Sequence, residues 1–346
     1  MSNESLTKSM TGGAAETGEN VLEVKNLVVH YVLKKETVEA VNDVSFTLKS
    51  GRSLGLVGET GAGKTTTALA IMNLVPNPPG VIKSGTVNVC GHEMLKLKPI
   101  ELAKIRGADI SMIFQDPMTS LNPVMTVGNQ IAESVKLHED CSHSQAFDRA
   151  VEMLELVGIP GARASEYPHE FSGGMQQRVV IAIALACNPR VLIADEPTTA
   201  LDVTIQAQVL GMMSELKTKM NTALLMITHD LGVVAKMCDE VAVMYAGRIV
   251  EKGTLEDVFN NTMHPYTEGL FNSLPKIDNR DTELKPIPGL MADPTKLPVG
   301  CSFAPRCSYA TDACRARRPE DRYVSDTHMV VCTAYEDPAF HIEGWQ

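Results

Sequence analysis

The chain has 346 residues, and 31 Lys and Arg against 42 Asp and Glu leave a formal net charge of −11. At about 150 residues per domain, this length predicts two domains, or one large domain with an appendage. The 44% hydrophobic and 21% charged composition excludes a wholly disordered chain, and the acidic balance argues against a nucleic-acid surface, which needs clustered Lys and Arg.

The first residues and the apolar runs indicate whether the chain is secreted or crosses a membrane. Residues 1–20 are rich in Ser, Thr, Gly and Glu, which predicts a disordered tail without the apolar stretch of a secretory signal. The longest apolar run, residues 179–187, is about half of the roughly 20 residues that cross a bilayer. We therefore expect a chain that does not span a membrane, with its eight cysteines as thiols in a reducing compartment.

The first half of the chain predicts strands followed by a helical region. Residues 21–48 alternate apolar and polar side chains, which predicts two or three half-buried strands. The segment SLGLVGETGAGKTTTALAIMNL changes from strand to Gly-rich turn to helix, and strand character returns at residues 85–89. From about residue 119 to 161 the spacing is helical, and Gly158 is expected to stop the last helix.

A strand–helix alternation follows. RVLIADEP and TALLMITHD predict buried strands, each followed by a helix, and DEVAVMYAGRIVEKG predicts a hairpin that turns at Ala246 and Gly247. Continuous apolar strands that alternate with helices predict an α/β fold with a parallel sheet covered on both faces. Beyond about residue 255 we expect one short helix in HPYTEGLFNSLPK and then an extended, proline-rich stretch with too little apolar content for a core of its own.

The sequence Gly58–Thr65 matches G-x-x-x-x-G-K-[ST] between a strand and a helix, which is the context of a phosphate-binding loop. Its N–H groups point inward and the helix N-terminus adds positive charge. We expect Lys64 to reach the β- and γ-phosphates, Thr65 to bind Mg²⁺ and Thr66 to lie at the α-phosphate. An ordinary glycine-rich turn is the alternative, which the combined strand, helix, Lys and Thr disfavour.

Polar groups end two of the later strands. Asp195 is suited to hold Mg²⁺ through water, and Glu196 to polarise an attacking water; a helix-capping acidic pair is the alternative. His229 lies at the same carboxyl edge, where ligands of such sheets bind, although a lone His there is more often structural.

Ser172, Gly173 and Gly174 precede the helix QRVVIAIALA and form a second anion-binding N-terminus. One subunit with a phosphate loop does not need two such sites for one nucleotide. We therefore infer that this site faces a nucleotide held by another subunit.

In this order, the motifs resemble those of ABC transporter ATP-binding subunits. The phosphate loop, Gln115 in IFQDP, the signature at Ser172–Gln176, Asp195 and Glu196, Asp202 in TALD and His229 in ITHD occur in family order. The resemblance implies a P-loop NTPase ATPase domain at about residues 21–255. This domain would have a RecA-like parallel sheet core, an antiparallel β subdomain and a helical signature subdomain at about 119–175. Residues 256–346 would form a small cysteine-containing C-terminal extension.

The resemblance also implies residue roles in a head-to-tail dimer that encloses two ATP molecules. Glu196 would be the general base, with Gln115 and His229 as catalytic partners, and Mg²⁺ would be held by Thr65, Gln115 and Asp195. Tyr31 would stack on adenine, although a strand Tyr is also a common core residue. The ATP contacts would come from Tyr31, Gly58, Glu59, Thr60, Gly61, Ala62, Gly63, Lys64, Thr65 and Thr66 of one subunit and from Ser172, Gly173, Gly174, Gln176 and Asp202 of the other.

MTSLNPVMTVGNQI, the HPYT run and the tail GCSFAPRC are similar to the dipeptide/oligopeptide/nickel importer branch. This branch implies ATP-powered peptide import at the cytoplasmic face of the cell membrane. Its partners would be a second related ATPase in a heterodimer, two membrane permeases and an extracytoplasmic substrate-binding protein, without nucleic acid. The alternatives are import of nickel, metal chelates or other small solutes, a soluble ABC-type ATPase outside transport, and a regulatory module that binds ATP without hydrolysis.

Four cysteines crowd the tail in the spacing C-x5-C-x6-C-x17-C: Cys301, Cys307, Cys314 and Cys332. This spacing lacks the tight C-x2–4-C pairs of structural zinc sites, and four thiolates suit an iron–sulfur cluster at least equally well. The resemblance points to a 4Fe–4S cluster with a structural role; Zn²⁺ and free thiols remain alternatives. The other four cysteines are expected to be buried small hydrophobes.

Overall fold

In this computed structural model, residues 18–199, 201–274 and 285–342 are described, except for the side chains of Pro117 and Met118. Their strands are β1 (Asn20–Val32), β2 (Thr37–Lys49), β3 (Ser53–Val57), β4 (Gly80–Val89), β5 (His92–Glu93), β6 (Ile110–Ile113), β7 (Val191–Asp195), β8 (Ala223–Thr228), β9 (Glu240–Tyr245), β10 (Arg248–Thr254), β11 (Arg322–Tyr323) and β12 (Met329–Val330). Their helices are α1 (Lys64–Ile71), α2 (Pro99–Ile105), α3 (Pro117–Ser120), α4 (Val127–His138), α5 (His143–Leu156), α6 (Gly173–Leu185), α7 (Val203–Met220), α8 (Leu231–Met237), α9 (Leu255–Asn260), α10 (Pro265–Asn272) and α11 (Asp312–Ala316).

The larger sheet has the strand order β11-β12-β10-β9-β3-β8-β7-β6, and its strands from β9 to β6 run parallel. Every residue of β3, β7 and β8 is buried, as expected for strands covered on both faces. The predicted α/β fold is therefore confirmed. In the register, Val57 pairs with Thr228 and Asp195 with Ile227, so the carboxyl ends of these three strands meet at one edge.

An antiparallel sheet of order β2-β1-β4-β5 packs beside the parallel sheet. Residues 21–48 thus contribute two strands, and β1 already begins at Asn20. The expected tail falls mainly on residues 1–17, which lie outside the described residues. The predicted hairpin at Ala246 and Gly247 joins β9 to β10, and both residues take positive φ, 45° and 82°.

Two amphipathic helices fill the region between β6 and α6. Val127, Ile131 and Val135 recur every four residues and form the buried stripe of α4. Ser142 caps the N-terminus of α5, and its hydroxyl accepts the N–H of Gln145. α5 ends at Leu156, two residues before Gly158, which has a φ of 76° and supplies the left-handed turn that predicts a helix end.

The C-terminal residues attach to both sheets through backbone and side chains. β12 pairs antiparallel with β10, and the carbonyl oxygen of Pro294 accepts the N–H of Glu39 in β2. The side chain of Glu251 is fully buried, and its Oε1 lies within hydrogen-bond distance, 2.9 Å, of Nε2 of His328. A segment without a core of its own thus shares the core of the preceding residues.

The fold also bears on the expected lack of a membrane-spanning helix and on the expected burial of the cysteines outside the tail. Within the described ranges, no helix combines the length and the apolar character that a membrane crossing requires. Of the four cysteines outside the tail cluster, Cys238 is buried, but Cys90, Cys141 and Cys187 are only partly buried, so the expectation was wrong for these three.

Candidate functional site

The phosphate loop connects β3 to α1 and depends on glycine at two close approaches. A Cβ at Gly58 would lie 2.1 Å from the carbonyl oxygen of Met244, and one at Gly63 would lie 2.3 Å from that of Ala40. Both residues also have positive φ, 154° and 103°, a region that other residues rarely enter. Any side chain at these positions would push the loop away from β9 or β2.

Lys64 lies inside the loop, with its side chain buried. Its Nζ donates to the carbonyl oxygens of Gly58 at 2.7 Å and Glu59 at 3.1 Å. Burial lowers the pKa of this ammonium, although the carboxylates of Glu196 and Asp195 act in the opposite direction. The first residue of α1 thus brings a cation to the helix N-terminus, an arrangement that binds phosphate groups.

Asp195 ends β7 and is only 2% exposed. Burial raises the pKa of its carboxyl, while a hydrogen bond from Thr65 and the charge of Lys64 act to lower it. Within the described residues, Oδ1 of Asp195 has no hydrogen-bond partner, and such buried orphan atoms are rare. A carboxylate oxygen without a partner beside a Thr hydroxyl is a donor set that fits Mg²⁺.

Glu196 follows in the left-handed region, with φ of 46°, and its N–H donates to the carbonyl oxygen of Ile227 in β8. Nδ1 of His229 lies 3.0 Å from Oε1, and Oε2 accepts from Oγ1 of Thr199 at 3.0 Å and from Nε2 of Gln115 at 3.2 Å. Burial acts to raise the pKa of Glu196, but the hydrogen bonds from His229 and Thr199 outweigh it, so the pKa is lowered. A strained backbone and three polar partners are typical of a catalytic carboxylate.

Thr199 is a partner of Glu196 that none of the sequence motifs indicated. Its N–H donates to the carbonyl oxygen of Glu196 in a tight turn, which brings its hydroxyl to the carboxylate. A hydroxyl three residues after a carboxylate, in a turn that contains Pro197, is the signal that could have indicated it.

Tyr31, the candidate adenine partner, lies on β1 and is partly exposed. Its hydroxyl is 3.5 Å from Oγ1 of Thr66 at the start of α1. The aromatic ring is therefore near the phosphate loop rather than deep in the core.

The signature residues lie at the N-terminus of α6. Ser172 precedes the helix without capping it, and both Ser172 and Gly173 are exposed. A Cβ at Gly174 would lie 2.6 Å from Ile205 of α7, so this glycine permits close helix packing. Among the described hydrogen bonds and ion pairs, none connects these residues to the phosphate loop of the same chain.

Two residues expected beside the signature have local partners. The side chain of Gln176 is buried and donates to the carbonyl oxygens of Pro168 at 2.7 Å and Phe171 at 3.3 Å. Asp202 caps α7 by accepting the N–H groups of Thr204 and Ile205. Gln176 therefore supports the turn before α6, and Asp202 supports the start of α7.

The four tail cysteines line one cavity together with residues such as His264, Phe303 and Ala310. Their thiols are free. Burial raises the pKa of Cys307 to about 11 and that of Cys332 to about 12. In the described part of the chain, no three His, Cys, Asp or Glu side chains lie together so that they could hold a metal ion. The structure thus brings the four predicted cysteines to one largely apolar cavity, without placing them as a ready ligand set.

Comparison with known proteins gives two family matches. Residues 41–199 match the ABC transporter family and residues 250–314 match the oligopeptide/dipeptide transporter C-terminal region. The oligopeptide transport ATP-binding protein AppD of Bacillus subtilis is 49% identical over 92% of this chain and 97% of its own length. OppD of Salmonella typhimurium is 50% identical over 92% of this chain and 95% of its own length.

Solved structures give a similar result. The ATP-binding cassette MJ0796, in a dimeric post-hydrolysis state bound to ADP and Pi, aligns with a TM-score of 0.61 and 27% identity over 68% of this chain and 98% of its own. cbiO1 of Clostridium perfringens, part of the ABC transporter complex cbiONQ, aligns with a TM-score of 0.60 and 25% identity over 70% of this chain and 91% of its own.

Proposed function

Because the chain belongs to the ABC transporter family of ATP-binding proteins, we propose that it hydrolyses ATP to power the import of peptides. The arrangement of Glu196 carries the proposal. Its carboxylate lies at the carboxyl edge of the sheet, beside Asp195 and the phosphate loop, with three hydrogen-bond partners. This is the position from which a general base can activate water against a terminal phosphate.

The residues of the site divide the work. The loop N–H groups and Lys64 hold the phosphates, and Thr65, Asp195 and Gln115 would hold Mg²⁺, which neutralises charge on the phosphate oxygens when bound. Glu196 accepts the proton of the attacking water, and its lowered pKa keeps it ionised for that task. His229 and Thr199 orient the carboxylate, and the imidazole of His229, 62% exposed, is free to reach towards the γ-phosphate.

The exposed signature supports a site shared between two subunits. Ser172 and Gly173 open the N-terminus of α6 to solvent, and a helix N-terminus binds anions. In our proposal this end faces ATP held by the phosphate loop of a second subunit, and hydrolysis opens the dimer. The second subunit would be a related ATPase, and the pair would dock on two permeases at the cytoplasmic face of the membrane, supplied by an extracytoplasmic binding protein.

The substrate class rests on the tail and the relatives. The C-terminal match is to an oligopeptide/dipeptide region, and relatives that cover nine tenths of the chain are named for oligopeptide transport. These findings favour peptides over nickel, other small solutes or a role outside transport.

For the tail cavity we propose a 4Fe–4S cluster held by Cys301, Cys307, Cys314 and Cys332, with Zn²⁺ as the alternative. The support is that all four cysteine residues line one cavity. When bound, the cluster would cross-link a segment that has little core of its own.

Reconstitution tests the proposed transport function. The full chain would be purified from its native membrane with its associated subunits and placed in liposomes with labelled oligopeptide. We expect uptake that requires ATP on the side of this chain and is absent with Glu196→Gln. Copurification with ribosomes or DNA instead of permeases, or ATP-driven uptake of nickel but not peptide, would contradict the proposal.

A further inference from the structure

An ion pair joins the C-terminal extension to the phosphate loop. Arg306 lies between two of the tail cysteines, and its side chain is only 7% exposed. Its Nη1 is 2.9 Å from Oε2 of Glu59 and its Nη2 is 3.2 Å from Oε1. Glu59 is the residue directly after Gly58 in the loop, so the pair reaches the phosphate site itself.

The guanidinium is fixed from its own side. Nε of Arg306 donates to the carbonyl oxygen of Pro288 at 2.9 Å and Nη2 to that of Ile287 at 3.4 Å. The guanidinium carbon also lies 5.9 Å from the centre of the Tyr245 ring. An arginine with this many partners presents its charge in one direction, and a planar two-point contact with a carboxylate is specific to arginine.

The backbone of Glu59 is held as well. Its N–H donates to the hydroxyl of the buried Tyr266 at 2.9 Å, and its carbonyl oxygen accepts from Nζ of Lys64 at 3.1 Å. The methyl group of Met291, in the same extension, lies 3.0 Å from where a Cβ of Gly61 would be. The extension therefore touches the loop at a side chain, at the backbone and at a glycine.

The charge of Glu59 explains why such a contact matters. A carboxylate beside a polyphosphate repels it, and a fixed guanidinium within hydrogen-bond distance cancels this repulsion. We propose that Arg306 is a positioning residue of the phosphate loop: it neutralises Glu59 and thereby makes ATP affinity depend on the C-terminal extension. This inference rests on the proposed ATPase function and adds a role that lies outside the nucleotide motifs.

Two variants distinguish neutralisation of the Glu59 charge from a purely structural role of Arg306. In the full chain, Arg306→Gln is expected to raise KM for ATP about tenfold with little change in kcat, the size of one lost charge pair of this burial. The double variant Arg306→Gln/Glu59→Gln should recover most of this loss, because the repelling carboxylate is also gone. Binding of ATP measured by calorimetry should follow KM.

A matched control is Arg315→Gln, whose partner Asp312 is fully exposed in the same extension; its KM should equal that of wild type. A KM for Arg306→Gln equal to wild type, or a raised KM that the double variant leaves unchanged, would overturn the inference. If Arg306→Gln does not fold, Arg306→Lys takes its place, and we expect it to raise KM by a smaller factor. An unchanged KM in Arg306→Lys would then overturn the inference. If wild type itself fails to bind ATP, the proposed function fails first.

Discussion

Nδ1 of His229 lies 3.0 Å from Oε1 of Glu196, although the two residues come from the ends of different strands. The parallel register of β7 and β8 brings them to the same edge. The imidazole is 62% exposed and the carboxylate 13% exposed. They thus form a polar pair at the edge of a sheet whose strands β7 and β8 are fully buried.

Glu196→Gln should lower kcat by about 10²- to 10⁴-fold, because the general base is lost while the hydrogen-bonding shape remains. ATP binding should persist, and scattering should show a dimer stabilised by uncleaved ATP in the presence of the partner subunit. Phosphate release measures the rate, with Glu152→Gln on the exposed face of α5 as control. Unchanged phosphate release would show that Glu196 is not the general base.

Asp195→Asn should stabilise the chain while abolishing Mg²⁺-dependent hydrolysis. Burial raises the pKa of Asp195 above its unfolded value, so its contribution to stability is present below the unfolded pKa and is lost as pH rises through the folded pKa. At neutral pH the charge is therefore a cost, and Asn should add about 1–2 kcal/mol to the free energy of unfolding. Denaturation in EDTA measures it; a gain that persists at acidic pH, where the carboxyl is already protonated, would contradict this reasoning.

Tyr31→Ala should raise KM for ATP by about tenfold, whereas Tyr31→Phe should stay near wild type. The ring supplies the stacking surface, worth about 1–3 kcal/mol per base, while the hydroxyl makes only a long contact of 3.5 Å with Thr66. Competition of GTP with ATP checks for stacking, because every base has a face that can stack. If the ring acts by stacking, Tyr31→Ala should weaken the binding of both nucleotides. Equal loss in both variants would show that the hydroxyl, rather than the ring, matters.

Anaerobically purified chain should contain about four iron and four acid-labile sulfide, and Cys307→Ser should lose both. The control is Cys90→Ser, because burial raises the pKa of Cys90 to about 11, as it does for Cys307, yet Cys90 lies outside the cavity. In metal-free chain these raised values predict slow alkylation at neutral pH that speeds up towards pH 11. If the chain instead contains stoichiometric zinc, the site is a zinc site and the proposed iron–sulfur cluster is wrong. If it contains no metal, the proposal of a metal site is wrong.

His328→Leu should destabilise the fold by about 3–5 kcal/mol, because Glu251 would remain buried without its side-chain partner. The Glu251 carboxylate also accepts the N–H groups of Met263 at 2.7 Å and His264 at 3.0 Å. Chemical denaturation measures the loss, with the exposed His341→Gln as control. The double variant with Glu251→Gln should lose less than the single one; additive losses would mean that the two side chains are not coupled.

Much of the site was predictable because its parts are local in the sequence. The loop from Gly58 to Thr65 is a continuous motif, and Asp195 and Glu196 directly follow a run of apolar residues that identifies a buried strand. Once the alternation of strands and helices predicts parallel pairing, the carboxyl ends of those strands must meet at one edge. The sequence thus determined the α/β core, the phosphate loop and the neighbourhood of Glu196 and His229.

Only the tertiary structure decided which distant groups contact one another. Arg306 and Glu59 are 247 positions apart, and no periodicity relates them, because their meeting depends on the path of the chain after α10. The burial of Gln176 and the partial exposure of Cys90 likewise follow from packing between elements rather than from the pattern within one. Local patterns fix the backbone's hydrogen bonding, whereas long-range side-chain partners are fixed only when the whole core closes.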